Sequence, residues 1–205
     1  MIVLYKNYCL LFLSVLFTFH SGIAQNKFSA LSVPEKKWVV LHPLCAQKIN
    51  RITKKTFLTI QEVKKSNPLD QYENGGKLDA FRHIYTMAVL AQKISVKKLR
   101  RLGIAHEKGN TLYFKKNKLE QGELPDSVSC EMDLRNNEIG FELGRKNKLA
   151  QIKELEKIIL GEINGGKAWI ILRNDKGNYI RCDQIEINLL EWRGKWNIPK
   201  CLVRS

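Results

Sequence analysis

Asp79, Arg82, His83 and Thr86, in the stretch DAFRHIYTMAVLAQ, recur at spacings of three, one and three. At the helical period of 3.6 residues these four side chains fall on one stripe. An arginine fork grips phosphate oxygens, and an imidazole titrates close enough to neutral pH to move protons. A carboxylate four residues before that imidazole shares its face and can orient it. Taken singly, each residue also has a structural reading: Asp79 as a helix cap, Arg82 as its ion-pair partner, His83 as a packed core histidine. The composition of the stripe argues for more. Where this chain faces water it uses Lys and Glu, as in KKLRR and QIKELEK, and from Asp79 to Gln92 it uses neither.

A second group is His106-Glu107, in GIAHEKGN. Adjacent helical residues point about 100° apart, so one of the two shares a face with the core. His106 follows Leu102 and Gly103 by four and three residues and is expected to point inward, with Glu107 orienting it or facing water. The zincin pattern H-E-x-x-H is absent, because Asn110 would have to be its second ligand. As a structural alternative, a histidine near a helix C-terminus is favoured by the dipole.

The third group is in MDLRNNEIGFELG, where Asp133, Asn136, Asn137 and Gly140 again follow one helical face. Asn costs a helix about half a kcal/mol relative to Ala, so two in succession need a reason. A capping or turn role accounts for one of them. The acids of an EF-hand loop are missing, but Asp133 with Asn136 or Asn137 can hold a divalent cation or a polar head group.

The elements that position these groups are mostly helical. EKKWVVLHPLCAQKINRITKKTFLTIQEVKK gives one or two helical segments with a break at Pro43. SNPLDQYENGGK is a loop, and the Asp79 helix follows it. KKLRRLGIAHEKGN is expected to be a helix ending near Gly109, with TLYFKKNKLEQGELPDSVSC as a long connection of the lid or surface-loop kind. Two further helices span EMDLRNNEIGFELGRKNK and LAQIKELEKIILGEI. AWIIL and NYIRC flank RNDKG and read as a β-hairpin. The fold class expected is mainly α: a bundle or cone of roughly five or six helices with a small C-terminal β-hairpin appendage. The divisions are a signal peptide over 1–24, a helical domain over 25–160 and a C-terminal extension over 161–205.

The first of these is read from MIVLYKNYCLLFLSVLFTFHSGIAQ, where Lys6 precedes an apolar run and the small-residue pattern Gly22-Ile23-Ala24. That layout predicts export, with cleavage after Ala24 and a secreted or periplasmic product. An uncleaved anchor is the alternative. Without Cys9, four cysteines remain, which allows two disulfides in three connectivities. Cys182 with Cys201 is the natural local pair, leaving Cys45 with Cys130; four free thiols compete with that reading.

The formal charge is +15, and nine Lys or Arg residues lie between Lys93 and Lys118 beside a single acid, Glu107. Such a patch suits anionic phospholipid or a phosphorylated envelope polymer, with peripheral membrane contact. A solvated lysine face is the simpler alternative. Export argues against nucleic acid as a partner.

GGKLDAFRHIYTMAVLA, AHE and MDLRNNEIGFELG, in that order, resemble a family of bacterial secreted and toxin-associated domains with the pattern D-A-x-R-H, H-E and M-D-x-x-N-N-x-x-G. These are the minimal Wnt-like domains of the Lipocone superfamily, and the resemblance covers roughly residues 35 to 150. It implies a helical cone whose polar residues meet near a membrane surface and act on phosphate-linked lipid head groups. Carried over by position, the implied site is Asp79, Arg82, His83, His106, Glu107, Asp133, Asn136 and Asn137. The chain departs from the pattern in IYTMAV, where relatives carry aromatic residues, and in the Lys-rich stretch after Asn110.

The residue types then suggest roles: His83, His106, Asp79 and Glu107 as catalytic groups, Arg82, Asn136 and Asn137 as phosphate ligands, and Asp133 as a ligand for a divalent cation. The expected activity is hydrolysis or exchange of head groups on lipids or related envelope phosphodiesters. Two alternatives stand beside it: a non-enzymatic secreted module that binds an anionic surface or partner, its polar stripes a buried structural network, and an interbacterial toxin domain.

Overall fold

The computed structural model describes residues 28–118 and 124–205. Six helices form the body: α1 (Val33–Leu41), α2 (Pro43–Ser66), α3 (Lys77–Ala91), α4 (Val96–Asn117), α5 (Ser127–Lys146) and α6 (Ile152–Asn164). The fold is mainly α, with a short antiparallel pair, β1 (Trp169–Ile171) and β2 (Leu202–Arg204), near the C-terminus. The expected signal peptide, with Lys6, Cys9 and the cleavage point, lies outside the described residues. Among the described residues no helix is long and apolar enough to cross a membrane.

Local sequence sets most of the helix boundaries. Ser32 and Glu35 close a capping box on α1, and Pro43 opens α2 at a position where its missing N–H costs nothing. Asp70 reaches across the loop to accept hydrogen bonds from the backbone N–H groups of Lys77 (2.8 Å) and Leu78 (3.2 Å), the free donors at the start of α3. Asp126 caps α5 in the same manner, with Ser129 reciprocating.

α4 does not end at Gly109 as the sequence suggested; it continues to Asn117. A Cβ on Gly109 would overlap the Ser32 side chain, so this glycine lets α1 approach α4 rather than terminating a helix. The start of the expected long connection, Thr111–Asn117, is therefore the last two turns of α4, and its end from Ser127 opens α5.

α3 is the central helix, and its Phe81, Ile84, Tyr85 and Ala88 are fully buried. With Leu155, Ile159 and Ile163 of α6 they form the main core, and Phe81 stacks on Tyr85 at 5.1 Å. Against the opposite side of α3 lies α5. A Cβ on Gly140 or Gly144 would overlap the backbone of α3 at Ile84 and Ala88. Two glycines one turn apart thus let the two helix backbones touch, which carries Asp133 and Asn137 up to His83.

In the C-terminal extension, Ile171, Tyr179 and Ile187 bury against Met132 of α5. The ladder pairs β1 with β2 at the chain end, in the register Ile170↔Val203. The turn expected after AWIIL is present around Gly177 (φ 83°), closed by the bridge Arg173↔Tyr179. Cys182 and Cys201 form a disulfide, compatible with an extracellular or periplasmic location. Cys45 and Cys130 do not pair: both are free thiols. Cys45 on α2 faces Lys98 Nζ at 3.7 Å, whereas Cys130 is buried in α5 beside Glu107, and burial with that carboxylate pushes its thiol pKa far up. Such a thiol holds no thiolate to attack a disulfide.

Candidate active site

The stripe on α3 is turned mostly into the protein, with Arg82 at its exposed edge, and it gathers polar residues of α5 and α4 around it. Asp79 is buried; its Oδ2 accepts from the Gly75 N–H (2.7 Å) and its Oδ1 from Arg82 Nη2 (2.6 Å). Gly75 takes φ 75°, a conformation glycine adopts without strain, and this aims its N–H at Asp79. Arg82 is half-exposed, so the rest of its guanidinium is open to a ligand.

His83 is the hub. Its Nδ1 faces Asn137 Oδ1 at 3.3 Å, and its Nε2 faces Arg82 Nη2 at 3.4 Å, Asp133 Oδ1 at 3.2 Å and Asp79 Oδ1 at 3.6 Å. A guanidinium only donates and an amide oxygen only accepts. Nδ1 therefore carries the proton, and Nε2 presents a lone pair. The orienting partner is Asn137 on α5 rather than Asp79, whose carboxylate is engaged by Arg82 and Gly75.

Burial, and then the charge of Arg82, lower the pKa of His83 to about 3, so the ring stays neutral. Asp133 is pushed the other way, well above the usual carboxylate range, by burial and by the charges of Asp79 and Glu107.

α4 presents its pair in the reverse of the expected orientation. Glu107 points inward and is buried, and its Oε2 accepts from Asn110 Nδ2 at 2.9 Å. His106 is half-exposed at the mouth of the site. Its Nδ1 meets Glu35 Oε1 at 2.8 Å, and Glu35 also accepts from the Ser32 N–H (2.8 Å) and hydroxyl (2.6 Å). Burial pushes Glu35 upward, but the bonds from His106 and Ser32 prevail and lower its pKa to about 2. The same bond raises the pKa of His106. The two histidines are thus driven apart, His83 toward the neutral ring and His106 toward the cation.

Asn136 does not join the site. It is fully buried, and its amide donates to Trp169 O and accepts from Trp169 N, both at 2.9 Å, which pins β1 to α5. Thr86 faces an apolar groove instead of the polar residues.

Two cavities meet at the stripe. One is an apolar groove of about 640 Å³ between α1, α2, α3 and α4, walled by Trp38, Val39, Ile49, Leu90 and Leu102. The other is a polar cavity of about 280 Å³, bounded by Asp79, Asp133, Asn74, Tyr179 and Lys200. Arg82, His83 and His106 line both.

Sequence reading missed Glu35, Lys200 and Tyr179. Lys200 is buried with its Nζ 2.8 Å from Asp126 Oδ2, on the far wall of the polar cavity. The Ser32-x-x-Glu35 capping box was a readable signal for Glu35; nothing local to Lys200 announces its position.

A family model described as a domain of unknown function (DUF6973) matches residues 36–167, from α1 to the residue before Ala168. No curated protein and no solved structure matches the chain.

Proposed function

The chain belongs to the DUF6973 family, and from the geometry of its site we propose that it acts on phosphate-linked lipid head groups or related envelope phosphodiesters, by hydrolysis or head-group exchange. The observation that carries the reading is the junction of the two cavities. Arg82, His83 and His106 stand where an apolar groove opens into a polar cavity, the arrangement that fits a phosphate between a hydrocarbon chain and a polar head. The finer kinship, with the Wnt-like domains of the Lipocone superfamily, belongs to the same proposal and rests on the ordered motifs around His83, His106 and Asn137. So does export, which the apolar N-terminus and the disulfide favour.

In this reading Arg82 holds the phosphate oxygens through guanidinium N–H groups not used by Asp79. The attacking oxygen, from water or from an acceptor alcohol, forms a bond to phosphorus as the ester P–O bond breaks. Its proton leaves toward the lone pair of His83 Nε2, with Asn137 fixing the ring. The bound phosphate brings negative charge beside that ring and raises its proton affinity. His106, held cationic by Glu35, gives a proton to the departing oxygen. The exposed lysines and arginines of α4 would hold the protein at an anionic surface.

The test is head-group release. The purified chain and its His83→Ala variant are incubated with mixed anionic and zwitterionic phospholipid vesicles, with and without divalent cations, and the lipids are followed by mass spectrometry. A new lipid species made by the wild type alone supports the proposal. No product, with equal vesicle binding by both proteins, overturns it in favour of a binding module. That second reading draws on the exposed basic face of α4, and it predicts binding that weakens steeply with salt.

A further inference from the structure

Asp79, His83 and Asp133 bring one ligand atom each within 4.8 Å of one another. We propose that they form the site of a single divalent transition-metal cation, Mn²⁺ or Zn²⁺, at the floor of the polar cavity. The inference rests on the reaction proposed above and changes one step of it, because Nε2 cannot both bind a cation and take a proton: a bound cation would acidify the attacking water or alcohol, whose proton would then pass to solvent, but the site stands on observations of its own.

The first observation is a conflict of lone pairs. The partners of His83 place its proton on Nδ1, so Nε2 presents a lone pair to Asp133 Oδ1 at 3.2 Å. That oxygen is buried, and no hydrogen-bond donor among the described residues satisfies it. Two lone pairs that face each other away from water are resolved by a proton on Asp133 or by a cation between them, and a cation also takes in Asp79 Oδ1, 3.6 Å from Nε2.

The second is charge. Asp79 is paired with Arg82 and Asp126 with Lys200. Asp133 and Glu107 are buried beside them without a Lys or Arg partner among the described residues, and Glu107 Oε1 also lacks a hydrogen bond. A divalent cation is the partner that would let such buried carboxyl groups ionise together.

The third is spacing. A cation with N and O ligands at about 2.0–2.2 Å sets neighbouring ligand atoms roughly 3–3.5 Å apart. Nε2 lies 3.2 Å from Asp133 Oδ1 and 3.6 Å from Asp79 Oδ1. Asn137 at Nδ1 is the outer partner that metal-bound histidines commonly have, fixing ring and tautomer. One imidazole with two carboxylates favours Mn²⁺ or Zn²⁺ over the all-oxygen preference of Ca²⁺. Three protein ligands leave positions for water and a phosphate oxygen facing Arg82.

The test is a titration of the chelator-stripped full chain with Mn²⁺, reading loss of the free-ion signal by electron paramagnetic resonance. Wild type should take up one ion per chain. Asp133→Asn and His83→Gln should each weaken uptake by at least about 100-fold, while Glu138→Gln, on the outer face of α5, binds as wild type. Mn²⁺ should raise the melting temperature of wild type and Glu138→Gln but not of the two ligand variants. Circular dichroism reports whether each variant is folded, and His83→Gln carries the test if Asp133→Asn is not. No saturable uptake by wild type, or uptake unchanged in both variants, overturns the site. Uptake without head-group release keeps the metal site and defeats the proposed reaction. Release that survives chelation, with no uptake, does the reverse.

Discussion

The imidazole of His83 and the side-chain amide of Asn137 face each other at 3.3 Å across the seam where α3 and α5 touch backbone to backbone. The contact decides which nitrogen of His83 carries the proton, and therefore what the ring offers to the cavity. Replacing Asn137 by Leu keeps its bulk and removes the acceptor, leaving the ring free to turn or to change tautomer. Head-group release should fall about 10- to 100-fold, the usual cost of losing such an outer partner. Asn137→Asp, which restores an acceptor, should recover part of the loss. A rate unchanged by Asn137→Leu removes this contact from the mechanism.

Asn136, one residue earlier, should behave in the opposite way. Its amide satisfies both the N–H and the C=O of Trp169. Asn136→Ala leaves the N–H and C=O of the half-buried Trp169 unpaired, each costing about 1–3 kcal/mol when shut from water. Urea unfolding should show a loss of about 2–5 kcal/mol, while the rate per folded molecule at low temperature stays near wild type. A rate that collapses without loss of stability would return Asn136 to the site.

The pair of neighbours shows what the sequence could and could not reveal. Spacing put Asp133, Asn136, Asn137 and Gly140 on one face of α5, but the helical wheel cannot say which neighbour each residue meets. Asn137 meets α3, and Asn136, turned by 100°, meets a strand more than thirty residues away. On α4 the same limit reversed an expectation. Leu102 and His106 share a face, and so do Gly103 and Glu107; the apolar look of Leu102 suggested that its face was the core. In the fold that face lines the groove, while Gly103 packs against Asn137 and takes Glu107 inside with it. Lys200 reaches the cavity only through the disulfide-bonded extension, a long-range placement with no local signature.

His106 and Glu35 tie α1 to α4 at the mouth of both cavities, so the contact should carry a pH dependence with two edges. Glu35 is lowered from 4.5 to about 2, which means its contribution is complete above pH 4.5 and fades as pH falls toward 2. His106 is raised above 6.5, so its contribution is complete below pH 6.5 and is lost as pH rises through the raised value. Glu107 supports the imidazolium and Arg82 opposes it. The melting temperature of wild type minus that of Glu35→Gln should therefore be largest between about pH 4.5 and 6.5 and shrink on both sides. A difference that is flat with pH would mean that Glu35 acts only as the cap of α1.

The disulfide should matter to the site as well as to stability. Cys201 adjoins Lys200, and its bond to Cys182 closes a loop with a sequence separation of 19 residues. A loop of that size constrains the unfolded chain by about 3 kcal/mol, so reduction should lower stability by roughly that amount in urea. Because Lys200 lines the polar cavity while the apolar groove is built from α1 to α4, reduction should disturb head-group preference more than chain-length preference. The check is to assay a lipid series varied first in head group and then in acyl length, before and after reduction, below the unfolding transition. Equal disturbance of both preferences would mean that loosening spreads through the helical body, and Lys200 would lose its claim to a selective role.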